Sequence, residues 1–319
     1  MKCLVTAIGS MSAEAVIGHL ALLPNMEIVG CNMHPASWTP ASRLVRQFYQ
    51  VPSAKDTTVY VARLLMICRS EQISHVVVLT DPEVDVLSAH HEAFAAAGIT
   101  LCIPPEPAVR VARDKLAVYC HFANHPRIQP IRTVDLQDAE LVDFPWPLIA
   151  KPRRGRSSEG QVHIPDTGAL QFWRKQLAAQ DYVLQPRHAG DVIEVDVVRQ
   201  PDGKVSVAIA RQELLRTTNG AGMTVHIRPD HICSTLAIEV ADALDLRGCT
   251  NMEFLLVNGL PLLMDVNPRF SAGVIFSLMA GYDMVTNHLR CFDGGQVQPC
   301  TSLPNVIYTR GFAEYSLQA

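Results

Sequence analysis

Apolar and polar positions alternate along this chain in two different rhythms, and the change falls near residue 105. Before it, short apolar runs at 2–8, 26–31, 75–80 and 99–103 are separated by helical patterns at 12–23, 56–70 and 84–97. Strands alternating with helices predict a small parallel sheet covered on both faces. Pro104-Pro105-Glu106-Pro107 closes this unit, since three prolines in four positions forbid regular continuation. A helix over about 107–123 follows, with Val109, Ala112, Leu116 and Ala123 on one side and Lys115 near it. From about 148 to 305, β patterns dominate, with helices near 166–179 and 231–245. The expected fold class is therefore α/β followed by α+β, the second part built on an antiparallel sheet.

The sharpest single segment runs from Asn251 to Phe270: two apolar runs around Asn258-Gly259, which is a strong hairpin signal. Glu253 and Asp265 have no structural use inside it, because unpaired buried carboxylates are costly. Hard oxygen ligands meeting across a hairpin suit Mg²⁺ that bridges nucleotide phosphates. Register decides whether they meet. They share a face only with a three-residue connection, Asn258-Gly259-Leu260, or an equivalent bulge; a plain two-residue turn puts them on opposite faces. Two solvent-facing acids on an amphipathic hairpin are the competing reading.

Composition narrows the function classes. The chain has 319 residues, enough for two or three domains, and 48% hydrophobic against 18% charged residues describes a globular protein. A net charge of -4 offers no basic field for nucleic acid or an anionic membrane. Apolar runs stop at strand length, and residues 1–9 read as a buried strand, not a leader, so a cytoplasmic location is expected. Nine scattered cysteines without C-x-x-C fit reduced core thiols. The first strand leads into Gly9-Ser10-Met11-Ser12, but Gly9 stands alone and no acid ends the second strand, which argues against nicotinamide binding. The Asp81-Pro82-Glu83 loop either faces a ligand at the carboxyl end of its strand or simply opens a helix.

Three further segments carry chemistry. Residues 147–160 run from a short buried strand closed by Lys151 into a loop with Arg153, Arg154, Arg156, Ser157, Ser158 and two glycines. Guanidinium forks, hydroxyls and free backbone N–H groups suit phosphates, although the loop is no Walker A motif. A nucleic-acid patch would need a second basic cluster and more aromatics nearby. Residues 182–198 read strand, bend at Gln185-Pro186, strand; the bend frees backbone groups for an adenine edge, and Glu194 and Asp196 share one face. An acid there could take ribose hydroxyls or a salt bridge. Arg211 and Arg216 lie on a polar strand before a glycine-rich loop, where either could clamp an acceptor carboxylate or belong to an ordinary surface strand.

The order of these segments resembles the ATP-grasp superfamily, and within it the large-chain ATP domain of carbamoyl phosphate synthetase. The resemblance rests on Lys115, the Lys151 loop, the bend before Gly-x-x-x-Glu, and the acidic hairpin ending Asp265-Val-Asn267-Pro-Arg269. It implies a Rossmann-like pre-ATP-grasp domain at 1–105 and an ATP-grasp domain at 106–319. The latter would have a lid of about 115–183 and a large subdomain of about 184–305. It implies that Lys115 and Lys151 contact the α- and β-phosphates of ATP, with 153–160, including Arg153, Ser157 and Ser158, as the flap over the triphosphate. Gln185, Pro186 and Arg187 match the hinge against adenine, and Glu194 the ribose carboxylate. Glu253, Asp265 and Asn267 match the ligands of two Mg²⁺ ions, with Mn²⁺ able to substitute, and Arg269 the arginine that steadies the transferring phosphoryl group. Gln185 stands where an acid is common, and Asp265 where Glu is usual.

The activity so implied is an ATP-dependent ligase that converts a carboxylate to an acyl phosphate and joins it to an amine. Both substrates would be small molecules, with no nucleic-acid or membrane partner; a homodimer is compatible with the small-residue helices of the first domain. Ser271 and Gly273, following the metal residues, would contact the acyl phosphate, beside Arg211 and Arg216. Two alternatives stand: phosphorylation of bicarbonate or carbamate, and a non-catalytic nucleotide-binding subunit. A filled set of polar positions on the hairpin argues against the second.

Overall fold

The computed structural model of the chain describes residues 1–141 and 143–317. Its first hundred residues form five parallel strands, β1 (Lys2–Val5), β2 (Glu27–Asn32), β3 (Gln47–Gln50), β4 (His75–Val77) and β5 (Thr100–Cys102). Their spatial order is β3-β2-β1-β4-β5, with α1 (Ala13–Leu20), α2 (Thr57–Glu71), α3 (Asp81–Leu87) and α4 (His91–Ala95) in the connections. Val5 and Leu4 belong to separate apolar clusters, one per face, as expected of a strand buried on both sides. The order reverses between β1 and β4, and the loops leaving these two strands open the crevice where such sheets receive ligands. β3 was not legible in the hydrophobic pattern: Gln47-Phe-Tyr-Gln50 is a polar-flanked edge strand.

The helix expected over 107–123 is two helices. α5 (Glu106–Ala112) is capped by Arg113, and α6 (Lys115–Phe122) starts two residues beyond that cap. Asp114 adopts an extended conformation and accepts hydrogen bonds from Leu116 N and Ala117 N at 3.1 and 3.0 Å. A side chain that satisfies two orphan N–H groups of the next turn makes a fresh start there favourable, by about 1 kcal/mol over Ala.

The remaining strands are β6 (Gln129–Pro130), β7 (Val134–Asp135), β8 (Leu148–Pro152), β9 (Val162–Ile164), β10 (Tyr182–Pro186), β11 (Asp191–Arg199), β12 (Ser206–Arg216), β13 (Gly222–Ile227), β14 (Gly248–Val257), β15 (Leu260–Asn267) and β16 (Ile307–Thr309). They make a four-stranded sheet, β7-β10-β8-β9, and a seven-stranded sheet, β16-β13-β12-β11-β14-β15-β6. Both are antiparallel apart from the β15–β6 pair. α7 (Thr167–Gln176) flanks the small sheet, while α8 (Ile232–Ala243) covers one face of the large one. Ile193, Val195 and Val197 of β11 pack under α8, so Glu194 and Asp196 must turn to the opposite face. α9 (Val274–Met279) and α10 (Met284–Arg290) close that face near the parallel sheet, where Phe270, Val274 and Met284 join the cluster of Val5 and Ile17.

Among the described residues no helix is long and apolar enough to cross a membrane. All nine cysteines are free, and seven are buried, as core thiols should be.

Candidate functional site

A cavity of about 460 Å³ opens where the three sheets meet. The parallel sheet contributes Ser10–Ser12 and Leu79–Asp81 from the carboxyl ends of β1 and β4, while the small sheet contributes Ile149, Lys151, His163 and Gln185. The large sheet supplies its floor, in rows set by strand register.

Glu194 on β11 pairs with Glu253 on β14, and Glu253 pairs with Asp265 on β15, which places three carboxylates abreast. The next row toward the parallel sheet is Asp196, Asn251 and Asn267. The row in the other direction, Val192 and Leu255, is apolar and lines the cavity near the bend at Pro186–His188. A polar end and an apolar end on one floor suit a ligand that is charged at one end and flat and apolar at the other.

The hairpin achieves this by the bulge, not by the longer turn. Val257 pairs with Leu260 across Asn258-Gly259, both in the left-handed region at φ 51° and 81°. Such a two-residue turn needs two positive φ values, which Asn and Gly tolerate. Phe254 then pairs with Leu263 but Glu253 with Asp265, so Met264 is the extra residue. Leu263 and Val266 are both buried in the core, and Met264 and Asp265 consequently both face the cavity.

Cations cover these acids. Lys115 Nζ lies 2.8 Å from Asp265 Oδ1, and Arg216 donates to Glu253 Oε2 at 2.9 Å. Burial raises the Asp265 pKa, but Lys115 and Lys151 outweigh it and hold the carboxyl below its usual range. Glu253 goes the other way: burial and the neighbouring Glu194 push it up to about 7, against the pull of Arg216. Lys151 is buried beside them, and its ammonium pKa is lowered by desolvation despite the attraction of Asp265. It makes no ion pair with any described residue, which leaves its charge for a ligand.

Glu253, Asp265 and Asn267 are hard oxygen donors at one end of the cavity. Among the described residues no group of three or more His, Cys, Asp or Glu side chains is gathered to hold a metal on its own. Mg²⁺ takes one or two carboxylates and completes its shell with water and substrate phosphates, so Glu253, Asp265 and Asn267 could hold it only together with a ligand. Arg269 lines the same end.

Ser157 and Ser158, at φ 53° and 57°, curl the 153–160 loop over the cavity with Gly155 and Arg156. Arg153, expected on phosphate, is instead held by Asp114: Nε donates to both carboxylate oxygens at 2.8 and 2.9 Å, and Arg154 adds a third bond at 3.0 Å. A buried carboxylate that must be neutralised competes successfully for these guanidiniums.

Gln185, Pro186 and Arg187 all line the apolar end. The Gln185 side chain is oriented by its neighbour. Thr133 donates its hydroxyl to Ile131 O at 2.8 Å, so toward Gln185 it can only accept, and Gln185 Nε2 donates to it at 2.8 Å. Gln185 Oε1 is thereby fixed as a buried acceptor without a partner among the described residues.

Three expectations are corrected by these contacts. Glu194 sits beside Glu253 and binds Arg211 and Arg216, so it belongs to the acidic row and not to the apolar end where a ribose would follow an adenine. Arg211 is fully buried and donates to Asp196 at 2.7 Å, to Ser271 Oγ at 3.1 Å and to Glu194; it is spent on internal charges. A Cβ at Gly273 would lie 2.8 Å from that guanidinium, so the glycine serves close packing on Arg211, away from the cavity. Ser271 and Arg216 do reach the cavity wall. Asp81, on the loop that either faces a ligand or opens a helix, does both: it lines the cavity at the start of α3, accepts from Arg269 through both oxygens and has Arg113 at 3.5 Å, partners that no local pattern announced.

Comparison with known proteins adds the following. A family model described as ATP-grasp in the biosynthetic pathway with Ter operon matches residues 178–310, and a PylC-like N-terminal domain matches residues 4–102. The biotin carboxylase domain of Hydrogenobacter thermophilus 2-oxoglutarate carboxylase, solved with MgADP, ADP and bicarbonate, superposes at a TM-score of 0.77 with 15% identity. That match covers 93% of this chain and 70% of the other. N5-carboxyaminoimidazole synthetase from Staphylococcus aureus with ADP gives 0.72 and 14%, covering 97% and 79%. Rhizobium etli pyruvate carboxylase gives 0.75 and 16%, covering 93% of this chain, which spans only 29% of that longer one. At these identities the likeness is one of fold. Among curated proteins no sequence match is found.

Proposed function

We propose, from the premise that the chain belongs to the ATP-grasp family and carries a PylC-like N-terminal domain, that it is an ATP-dependent carboxylate–amine ligase. The observation that carries this reading is the opposed pair Glu253–Asp265, flanked by Lys115, Lys151 and Arg269 in one cavity. ATP would lie with its base between the hinge, Gln185 to Arg187, and the apolar floor of Val192 and Leu255. Its phosphates would extend toward Lys115 and Lys151. Mg²⁺ held by Glu253, Asp265 and Asn267 would neutralise phosphate charge and align the γ-phosphoryl group.

The rest follows from the chain's own groups. Lys115 would exchange its bond with Asp265 for a phosphate oxygen, and Arg216 would leave Glu253 as the carboxylates turn to the cation. Lys151, short of hydration and unpaired, gains most from an anion in a dry site. The acceptor carboxylate attacks the γ-phosphorus as the bond to the ADP oxygen breaks, giving an acyl phosphate. An amine then attacks the acyl carbon; phosphate leaves and the amine proton is lost. Arg269 is placed to meet charge on the transferring group, and the 153–160 loop to shield the acyl phosphate from water.

The test is ADP and phosphate release from Mg·ATP against a library of small carboxylic acids, bicarbonate and amines. Each hit is checked by mass spectrometry. Acceptor-dependent ADP release with a product one water lighter than its precursors is expected. Nucleotide binding without turnover against any acceptor and amine would favour the non-catalytic nucleotide-binding alternative.

A further inference from the structure

Arg269 is held chiefly from outside the sheet that carries it. Its Nε and Nη2 donate to Asp81 Oδ1 and Oδ2 at 3.0 and 2.8 Å, across the boundary with the parallel sheet. Nη2 also reaches Asn267 Oδ1 at 3.3 Å, and Nη1 reaches Phe270 O at 3.0 Å. A guanidinium has five N–H bonds. Four are therefore spent on orientation, and one on Nη1 has no partner among the described residues.

Asp81 is itself fixed. It is 2% exposed, it opens α3, and Arg113 approaches it at 3.5 Å while pairing with Asp85. Two residues on, buried Glu83 accepts from Thr6, Thr80 and Tyr60 at 2.8, 2.8 and 2.7 Å, which pins the loop to β1 and α2. Burial would raise the Asp81 pKa, yet Arg269 and Arg113 hold it below its usual range, so the carboxylate stays charged at neutral pH.

We propose that Asp81 is a positioning residue: the N-terminal sheet aims the last free N–H of Arg269 at the γ-phosphoryl group. The inference rests on the phosphoryl-transfer reading above. It assigns the parallel-sheet domain a part in the chemistry, beyond forming one wall of the cavity.

Binding of Mg·ADP and Mg·AMPPNP, measured by calorimetry, tests it without an identified acceptor. The wild type is expected to bind Mg·AMPPNP more tightly than Mg·ADP, with about tenfold of that gain due to Arg269. Asp81→Asn should lose most of the gain and keep Mg·ADP affinity within about twofold. In a double-mutant cycle with Arg269→Lys the losses should not add, because both act through one guanidinium. Should loss of Mg·ADP binding reveal that Asp81→Asn does not fold, Asp81→Glu is measured in its place. It keeps the charge, shifts the carboxylate by one methylene, and should lose part of the gain.

A full gain in these variants, or additive losses, overturns the proposal. So does an undiminished gain in Arg269→Lys. A wild type that binds neither nucleotide overturns the ligase reading itself.

Discussion

Lys115 and Asp265 share a 2.8 Å ion pair although they come from different layers, one at the first position of α6 and the other on β15. The pair exists because Asp114 starts a new helix, which fixes the exit direction of the Lys115 side chain. It balances the Asp265 charge, and the same ammonium is in reach of a phosphate. Lys115→Gln should therefore weaken Mg·ADP binding by about tenfold or more, the value of one charge-assisted hydrogen bond. Unchanged affinity by calorimetry would remove Lys115 from the nucleotide site.

Glu253 gives the site a pH dependence whose sign can be worked out. Its pKa is raised to about 7 by burial and by Glu194. Below that value the carboxyl holds a proton and cannot ligate a cation; above it the proton is gone. Mg²⁺-dependent nucleotide affinity should rise with pH between about 6 and 8 and then level off. An ordinary exposed Glu would be ionised throughout and give a flat profile. Titrations at a series of pH values decide between the two.

Gln185 Oε1 is a buried acceptor on a residue that lines the apolar end, its orientation imposed by Thr133. It matches a base that presents an exocyclic N–H donor. Gln185→Met should cost ATP about tenfold in affinity and cost purine riboside triphosphate, which lacks the amino group, much less. Equal losses for both nucleotides would mean that Gln185 only packs.

Arg211 separates a structural from a binding role. Its buried guanidinium pairs with Glu194, Asp196 and Glu213, so Arg211→Met takes a cation from three carboxylates, of which Glu194 keeps Arg216. The expected cost is about 3–5 kcal/mol, seen as a thermal midpoint lower by about 5–15 °C. A residue that merely clamped substrate would change KM and leave the midpoint in place.

What the sequence disclosed and what it withheld follow the range of the interactions. The hairpin acids, Lys151 and the hinge bend are local patterns, and each appears where the spacing put it; the first hundred residues alternate as expected apart from the edge strand β3 and the break between α3 and α4 within the helix expected at 84–97. From local spacing alone, the longer turn and the bulge bring the acids together equally well. It took the distant contacts of Leu263 and Val266 with the core to select the bulge. Arg153 and Arg211 look like anion binders in isolation. Only the fold brings Asp114 to one, and Glu194 and Asp196 to the other. Asp81 lies 188 residues from Arg269, a separation no local pattern spans.

The central claim is that Glu253 and Asp265 hold the cation for phosphoryl transfer, and Asp265→Asn tests it most directly. The variant keeps the shape of the side chain and removes its charge. ADP release from Mg·ATP, measured with the acceptor that stimulates the wild type, should fall by at least about a hundredfold with the fold intact by circular dichroism. Turnover at the wild-type rate would contradict the assignment of this cavity.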